Sequence, residues 1–196
     1  MIGFGFLVSA WIISSGVTQL IDRARINPSR SWWQNLRIQP AGYYGMLLAH
    51  FGVAIFIIGV TAVRGFETEQ DVRMQIGGVS QSGGYDFKMV SLKTVQGPNY
   101  AAVQGHFDVS KNGKPVTSLF PEKRIYTASQ MPMTEAAIDS GFMRDLYVSL
   151  GEPLDDARTE WSMRVYYKPF VPWLWGGVVL MVLGGLLAAL DRRYRK

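Results

Sequence analysis

The chain has 196 residues, a hydrophobic fraction of 48% and a formal net charge of +5. It contains no cysteine, which excludes disulfide bonds and any thiol chemistry performed by this chain itself. The surplus of positive charge lies in one connecting segment and at the C-terminus, not on a soluble domain. This distribution excludes the basic face of a nucleic-acid-binding protein.

Three apolar runs are long enough to cross a membrane, because a spanning helix needs roughly 20 apolar residues. These predicted transmembrane helices occupy residues 1–21, 43–63 and 170–190. The connection 22–42 carries four arginines, and the tail 191–196 carries four basic residues. Basic residues collect on the cytoplasmic side, so both segments are predicted to be cytoplasmic and 64–169 extracytoplasmic. No basic segment precedes the first run, which favours a membrane span over a signal peptide.

The cytoplasmic connection contains a tryptophan pair, Trp32 and Trp33. Tryptophan is common at the membrane–water interface, so the pair is predicted to lie at the membrane surface. Contact with a bound haem is the alternative interpretation.

The second span contains a single ionisable side chain in its interior, His50. An imidazole among apolar groups costs free energy unless it is paired, hydrogen-bonded or metal-bound, so His50 is a candidate functional residue. It is interpreted either as a ligand of haem or another metal, or as a histidine hydrogen-bonded to a neighbouring helix.

Glycines recur every seven residues along the same span and predict a packing seam for an adjacent helix; they are Gly45, Gly52 and Gly59. His50 lies off that stripe, on a helical face that also carries Tyr43, Met46, Ala54 and Ile57. Because one face packs and another presents the imidazole, this arrangement favours the ligand interpretation.

The segment 64–169 has the alternating pattern of β-strands. Alternation predicts strands at 100–109 and 161–167, and Asn112-Gly113 predicts a tight hairpin turn leading into a strand at 116–120. Weaker candidate strands lie at 85–95 and 124–128, and MTEAAIDSG (133–141) predicts one short helix with Thr134 as its cap and Gly141 as its stop.

The predicted fold class is therefore an α+β membrane protein. Three transmembrane helices carry an extracytoplasmic, mostly antiparallel β domain, a sandwich or open barrel, between the second and third helices. His106, on the polar face of its strand, is interpreted as an exposed histidine, with a ligand role as the alternative. No catalytic motif is present, and no catalytic residue is assigned.

Several stretches resemble the C-terminal portion of the CcmF family, the large haem-lyase subunit of the bacterial cytochrome c maturation pathway. They are GMLLAHFGVAIFIIGV (45–60), GPNY (97–100), the NGKPV hairpin with PEKRIY (112–126), QMPMTEAAIDSGFMRDLYVSLGEP (130–153) and RVYYKPFVPWLWGGVVLMVLGG (164–185). Together they cover most of residues 43–193, and the segment from MPMTEAAID to RDLYV is the most specific.

The resemblance implies a multi-pass protein of the bacterial inner membrane, with its large loop in the periplasm, that acts in cytochrome c-type biogenesis. Such a protein accepts haem from a periplasmic haem chaperone and promotes its covalent attachment to apocytochrome c, which a thiol-handling subunit presents. It also holds a haem b between two transmembrane histidines, and His50 in AHFG matches one of these axial ligands.

The other transmembrane histidine and a tryptophan-rich haem-handling segment belong to the preceding, N-terminal portion of the longer family protein. The chain is therefore expected to be a fragment or one half of a split subunit, with that portion as its partner. Haem lyase activity is expected only together with that portion and the partner subunits. The competing interpretation is a non-catalytic, membrane-anchored docking or structural module without its own cofactor. A haem exporter is disfavoured because the chain shows no internal repeat.

The segment Met131–Val148 is interpreted either as a docking surface for these partners or as ordinary core and turns. The core interpretation assigns four side chains to the interior, Met133, Ile138, Leu146 and Val148.

Overall fold

The computed structural model describes residues 2–191, which divide into two compact units. A helical unit comprises the described residues up to Gly65 and from Phe170 onward, and a β unit comprises Phe66–Pro169. The predicted basic tail 191–196 lies outside the described residues, apart from Asp191.

The described part of the helical unit contains α1 (Ile2–Ala24), α2 (Trp32–Arg37), α3 (Ala41–Phe66) and α4 (Val171–Ala189). Three of these helices, α1, α3 and α4, are long and apolar enough to cross a membrane. They begin and end within about three residues of the predicted spans.

Helix α2 was not predicted from the sequence, which identified the segment 22–42 only as a cytoplasmic connection. Its start is fixed by a capping box, in which the Ser31 hydroxyl accepts from the Gln34 amide and the Gln34 side chain accepts from the Ser31 amide. Asn35 is buried and holds α2 against the end of α1, donating to the Ala24 carbonyl at 2.9 Å and to the Asn27 carbonyl at 3.0 Å.

The predicted glycine seam of α3 packs against α4. A Cβ atom on Gly45 would lie 2.5 Å from the Gly184 carbonyl oxygen, and one on Gly52 would lie 2.7 Å from the Gly177 carbonyl oxygen. Gly59 meets the Leu174 backbone nitrogen at 3.0 Å in the same way. The two backbones are therefore in direct contact, which only glycine permits, and the prediction of a packing seam is confirmed.

Helix α1 packs on a different side of α3, and the two helices run antiparallel. A Cβ on Gly16 would lie 3.1 Å from Leu47 Cδ1 and 3.2 Å from Phe51 Cζ. At the other end of the helix pair, a Cβ on Gly65 would lie 2.8 Å from Ile2 Cδ1. Small residues of both helices thus set the distance between α1 and α3.

The β unit is a sandwich of two antiparallel sheets. Its strands are β1 (Thr68–Gln75), β2 (Val79–Ser82), β3 (Tyr85–Gln96), β4 (Tyr100–Lys111), β5 (Lys114–Leu119), β6 (Glu122–Tyr126), β7 (Pro132–Glu135), β8 (Ala137–Ser140), β9 (Arg144–Pro153) and β10 (Glu160–Pro169). One sheet has the order β1-β10-β9-β8, and the other has the order β2-β3-β4-β6-β7 with β5 paired to β4. The five predicted strands correspond to β3, β4, β5, β6 and β10, while β1, β2 and β9 were not predicted.

The sandwich core is formed by side chains that alternate along the strands of both sheets. Fully or almost fully buried members of this core are Phe87, Met89, Phe107, Val109, Leu146, Val148, Leu150, Trp161, Met163 and Val165. The predicted hairpin at Asn112-Gly113 is also confirmed, because both residues have positive φ, 53° and 75°, as a two-residue turn between twisted strands requires.

The predicted short helix at 133–141 is wrong, since this segment forms β7 and β8 instead. β7 pairs with β6, and β8 pairs with β9, so the chain crosses from one sheet to the other between them. Nine residues are too few for a helix to be stable without tertiary packing, and strand pairing satisfies the backbone instead. Gly141 does not stop a helix; it begins the β8–β9 turn, where its amide donates to the Arg144 carbonyl at 2.8 Å.

Candidate functional site

His50 lies in the N-terminal half of α3, with its side chain exposed on the surface of the helical unit. Its Nδ1 atom lies 2.8 Å from the carbonyl oxygen of Met46, one helical turn earlier. A carbonyl only accepts, so this contact requires the proton on Nδ1, and in the neutral imidazole the lone pair is then on Nε2. Histidines that bind metals are oriented by this kind of second hydrogen bond.

A cleft of about 170 Å³ lies beside His50 between α1 and α3. Its lining residues are Trp11, Ile12, Ser15, Gly16, Gln19, Met46, Leu47 and His50. Gly16 allows the close approach of the two helices at the floor of the cleft. The site is thus mostly apolar, with the imidazole and the side chains of Ser15 and Gln19 as its polar groups.

The residues that α1 contributes to this cleft were missed by sequence reasoning, which assigned no functional residue to the first span. Ser15 and Gln19 are four residues apart and share one face of the helix. Polar side chains at this spacing within a membrane span were the available signal.

Fewer residues of the predicted ligand face of α3 are exposed than their helical spacing predicts. Met46 is exposed beside His50, but Ala54 is fully buried and Tyr43 is nearly so. The Arg23 guanidinium of α1 lies over the Tyr43 ring, 5.4 Å from its centroid, and helps to cover it. The exposed part of the face is therefore the single turn from Met46 to His50.

His106 lies on β4 in the β unit, where its Nε2 atom is 3.2 Å from Asp108 Oδ1. Its ring stacks on Phe120, with centroids 4.8 Å apart and the planes inclined by 19°. The His106 side chain is only 31% exposed, less than predicted for an exposed histidine, and Asp108 and Phe120 position its ring.

Trp32 and Trp33 lie in α2, with ring centroids 4.9 Å apart, and both are largely exposed. Neither residue lines the cleft beside His50. Their exposure fits the predicted position at a membrane surface and gives no support to contact with a cofactor in that cleft.

The segment Met131–Val148 divides between the two interpretations given for it. Leu146 and Val148 are completely buried in the sandwich core, as the core interpretation expects. Met133 and Ile138 are 53% and 55% exposed, so their assignment to the core is wrong. The reason is that they lie on the short edge strands β7 and β8, on the face turned away from the core.

The residues of the cleft fit an axial haem ligand better than a bare metal ion. Among residues 2–191, no group of three or more His, Asp or Glu side chains is placed to hold a metal ion. A haem iron needs only one imidazole nitrogen on each side, and His50 offers an oriented, accessible Nε2 in apolar surroundings.

A family model described as the CcmF C-terminal beta-sandwich matches residues 65–169. The cytochrome c-type biogenesis protein CcmF of Pseudomonas aeruginosa is 45% identical over 190 residues, which cover 97% of this chain and 28% of that protein. CcmF of Haemophilus influenzae is 48% identical over 171 residues, 87% of this chain and 26% of that protein. The corresponding protein of Escherichia coli K12 is 46% identical over 154 residues, 79% of this chain and 24% of that protein.

A solved structure of a cytochrome c haem lyase CcmF has the same fold, with a TM-score of 0.63 at 17% identity over 77% of this chain and 25% of that one. The fold defines a class of proteins in which apolar helices precede and follow an antiparallel β-sandwich along the chain. Within that class, the chain belongs to the CcmF family, whose C-terminal β-sandwich makes up just over half of it. It spans about a quarter of the length of these curated relatives.

Proposed function

We propose that this chain acts in cytochrome c-type biogenesis as the C-terminal part of a membrane haem lyase, and that His50 is an axial ligand of a haem b. The observation that carries the proposal is the His50 imidazole. It is exposed within an apolar helix of a CcmF-family chain, with Nδ1 bonded to Met46 and Nε2 free to bind iron.

The chain's own groups explain how such a ligand works. The Met46 carbonyl fixes the tautomer and orientation of His50 and raises the basicity of Nε2. The walls of the cleft beside the imidazole are mostly apolar, so they set apolar surroundings for a bound group. A bound haem would supply one-electron redox chemistry, with the potential set by its axial ligands and surroundings.

His50 supplies one axial position, and we propose that a histidine of the N-terminal portion of the subunit supplies the other. The exposed side of the α1–α3 cleft is the surface available to that portion. Ser15 and Gln19 lie there as polar groups on a membrane helix, where such groups usually face protein or a ligand and not lipid.

We further propose that the β unit lies in the periplasm of a bacterial inner-membrane protein, with 22–42 and the C-terminus cytoplasmic. The arginines of that connection support this orientation. The β unit then faces the haem chaperone and the apocytochrome with its presenting subunit. Its exposed apolar side chains in the segment 131–143 are proposed to dock one of these proteins; they are Met131, Met133, Ile138, Phe142 and Met143.

A second candidate is a membrane-anchored docking module without a cofactor of its own. The same exposed apolar side chains favour it, because docking requires no haem. In that case His50 only contributes to the packing or stability of the helices.

Maturation of a cytochrome in cells separates the two candidates. A bacterial strain lacking its CcmF protein would receive the N-terminal portion together with this chain, and covalent haem in a reporter cytochrome c would be measured. We expect His50→Ala to abolish maturation and His106→Ala, the matched control, to preserve it. Full maturation with His50→Ala at normal protein levels would exclude the ligand role and favour the docking module.

A further inference from the structure

A groove of about 380 Å³ separates the C-terminal end of α1 from α2, and its lining residues are Leu20, Ile21, Ala24, Arg25, Trp32 and Leu36. This α1–α2 groove lies in the helical unit and shares no residue with the cleft beside His50. Its volume falls within the roughly 300–1,000 Å³ typical of small-molecule sites. The walls are apolar, and Arg25 is the one charged group among the lining residues.

The shape of the groove is fixed, because specific hydrogen bonds hold α2 in place beside α1. Asn35, almost completely buried, bonds the Ala24 and Asn27 carbonyls, and the capping box at Ser31 fixes the first turn of α2. The Tyr44 hydroxyl also donates to the Leu36 carbonyl at 2.7 Å. These bonds keep α2 at the end of α1 without filling the space between them.

Charge around the groove selects an anionic occupant. The connection that forms it contains four arginines and a single acid, Asp22. Within residues 2–191, no carboxylate lies within ion-pair distance of Arg25, Arg30 or Arg37. Unpaired arginines beside exposed tryptophans at the end of a membrane helix match an interface with anionic lipid.

We propose that the α1–α2 groove binds one anionic phospholipid. Its phosphate lies on the Arg25 guanidinium, which donates to phosphate oxygens, and an acyl chain lies along Ile21 and Leu36. The Trp32 ring closes the side of the groove at the level of the headgroup. The site fixes the end of α1 at the membrane surface, and it is independent of whether His50 binds haem.

The test measures retention of phosphatidylglycerol against phosphatidylcholine by the full chain in mild detergent, using native mass spectrometry. We expect phosphatidylglycerol to be retained preferentially and Arg25→Gln to weaken its binding about fivefold. Arg25→Lys should keep most of the binding. Arg37→Gln removes the same charge from the same connection but outside the groove, so it should change retention little.

A second pair of variants tests the acyl-chain position without changing charge. Ile21→Trp fills the groove and should lower retention, whereas Val17→Trp adds the same bulk to an exposed position of α1 outside it. Equal losses from Arg25→Gln and Arg37→Gln would overturn the proposal in favour of general attraction by the connection. Equal retention of both lipids would also overturn the proposal. Loss of the lipid when the chain is co-purified with the N-terminal portion would overturn it as well, because that result would show that protein fills the groove.

Discussion

Gly52 and Gly177 face each other across α3 and α4 so closely that a Cβ on either would lie 2.7 Å from the other's carbonyl oxygen. The contact is reciprocal and is repeated one heptad away by Gly45 and Gly184. Two helices separated along the chain by the whole β unit are therefore joined by backbone contact. This contact holds α3, and His50 with it, in a fixed position.

Gly177→Ala is expected to push α3 and α4 apart, because the added methyl would also meet the Phe56 amide nitrogen at 2.7 Å. Overpacking of this kind costs roughly 1–3 kcal/mol. The neighbouring Gly176 has open space around its Cβ position, so Gly176→Ala is a matched control that should change stability by less than about 0.5 kcal/mol. Unfolding in mixed micelles measures the stability of both variants. Equal destabilisation by the two substitutions would contradict the glycine packing seam between α3 and α4.

Asn35→Ala should release α2 from α1, since the buried Ala24 carbonyl and the partly buried Asn27 carbonyl lose their donor. Loss of such a partner costs roughly 1–3 kcal/mol locally. Hydrogen exchange at the backbone amides of 32–38 should become faster, while the amides of α3 keep their protection. Ser29→Ala, an exposed change in the same connection, serves as the control and should leave the exchange rates unchanged.

Ile138→Ser should leave the stability of the chain within about 0.5 kcal/mol of wild type, because the side chain is 55% exposed. Leu146→Ala, only eight positions along the chain but completely buried, should cost roughly 2–5 kcal/mol. If the exposed apolar side chains of 131–143 dock a partner, Ile138→Ser should weaken binding of the haem chaperone or the apocytochrome complex in a pull-down. Unchanged binding of both would remove Ile138 from the proposed docking surface.

Asp145 should make the β unit less stable as the pH rises. Burial raises the pKa of its carboxyl, so folding favours the protonated form. The stabilisation is present below the carboxyl's ordinary pKa and is lost as the pH rises through the raised one. Asp145→Asn should remove this dependence, so the variant gains stability relative to wild type with increasing pH.

Asp71 supplies the opposite case. Its hydrogen bond with Arg164 lowers the pKa of the carboxyl, so its contribution is present above the ordinary pKa and is lost as the pH falls through the lowered one. Asp71→Asn should therefore lose stability relative to wild type as the pH rises. If the stability of both variants relative to wild type changed in the same direction with rising pH, the opposite pKa shifts assigned to Asp145 and Asp71 would be contradicted.

The three membrane-length helices and the glycine seam could be predicted because each depends on a pattern within one stretch of sequence. Strands β3, β4 and β10 were found for the same reason, since burial of one face imposes alternation. β1 could not be found in this way, because it is an edge strand with a mostly exposed, polar sequence. Its place is decided by pairing with β10, almost a hundred residues away.

The errors at 133–141 and in the connection 22–42 have a common physical origin, because both segments are positioned by contacts with residues that are not their neighbours in sequence. Thr134 was predicted to cap a helix, but its hydroxyl lies 3.1 Å from the Lys123 ammonium nitrogen on the neighbouring strand. Asn35 gave no local signal at all, and its role depends on carbonyls at the end of α1. His50 was identified from sequence because a lone imidazole in an apolar span is unusual. Its bond with Met46 and the contribution of α1 to its cleft required the structure.

The central claim is that His50 binds haem iron. The most direct measurement is the optical spectrum, oxidised and reduced, of this chain co-purified with the N-terminal portion, compared among wild type, His50→Ala and His106→Ala. We predict a low-spin b-type spectrum in wild type and His106→Ala that is lost in folded His50→Ala. An unchanged spectrum in His50→Ala would contradict the ligand assignment, and absence of haem from all three proteins would leave the docking module as the account of this chain.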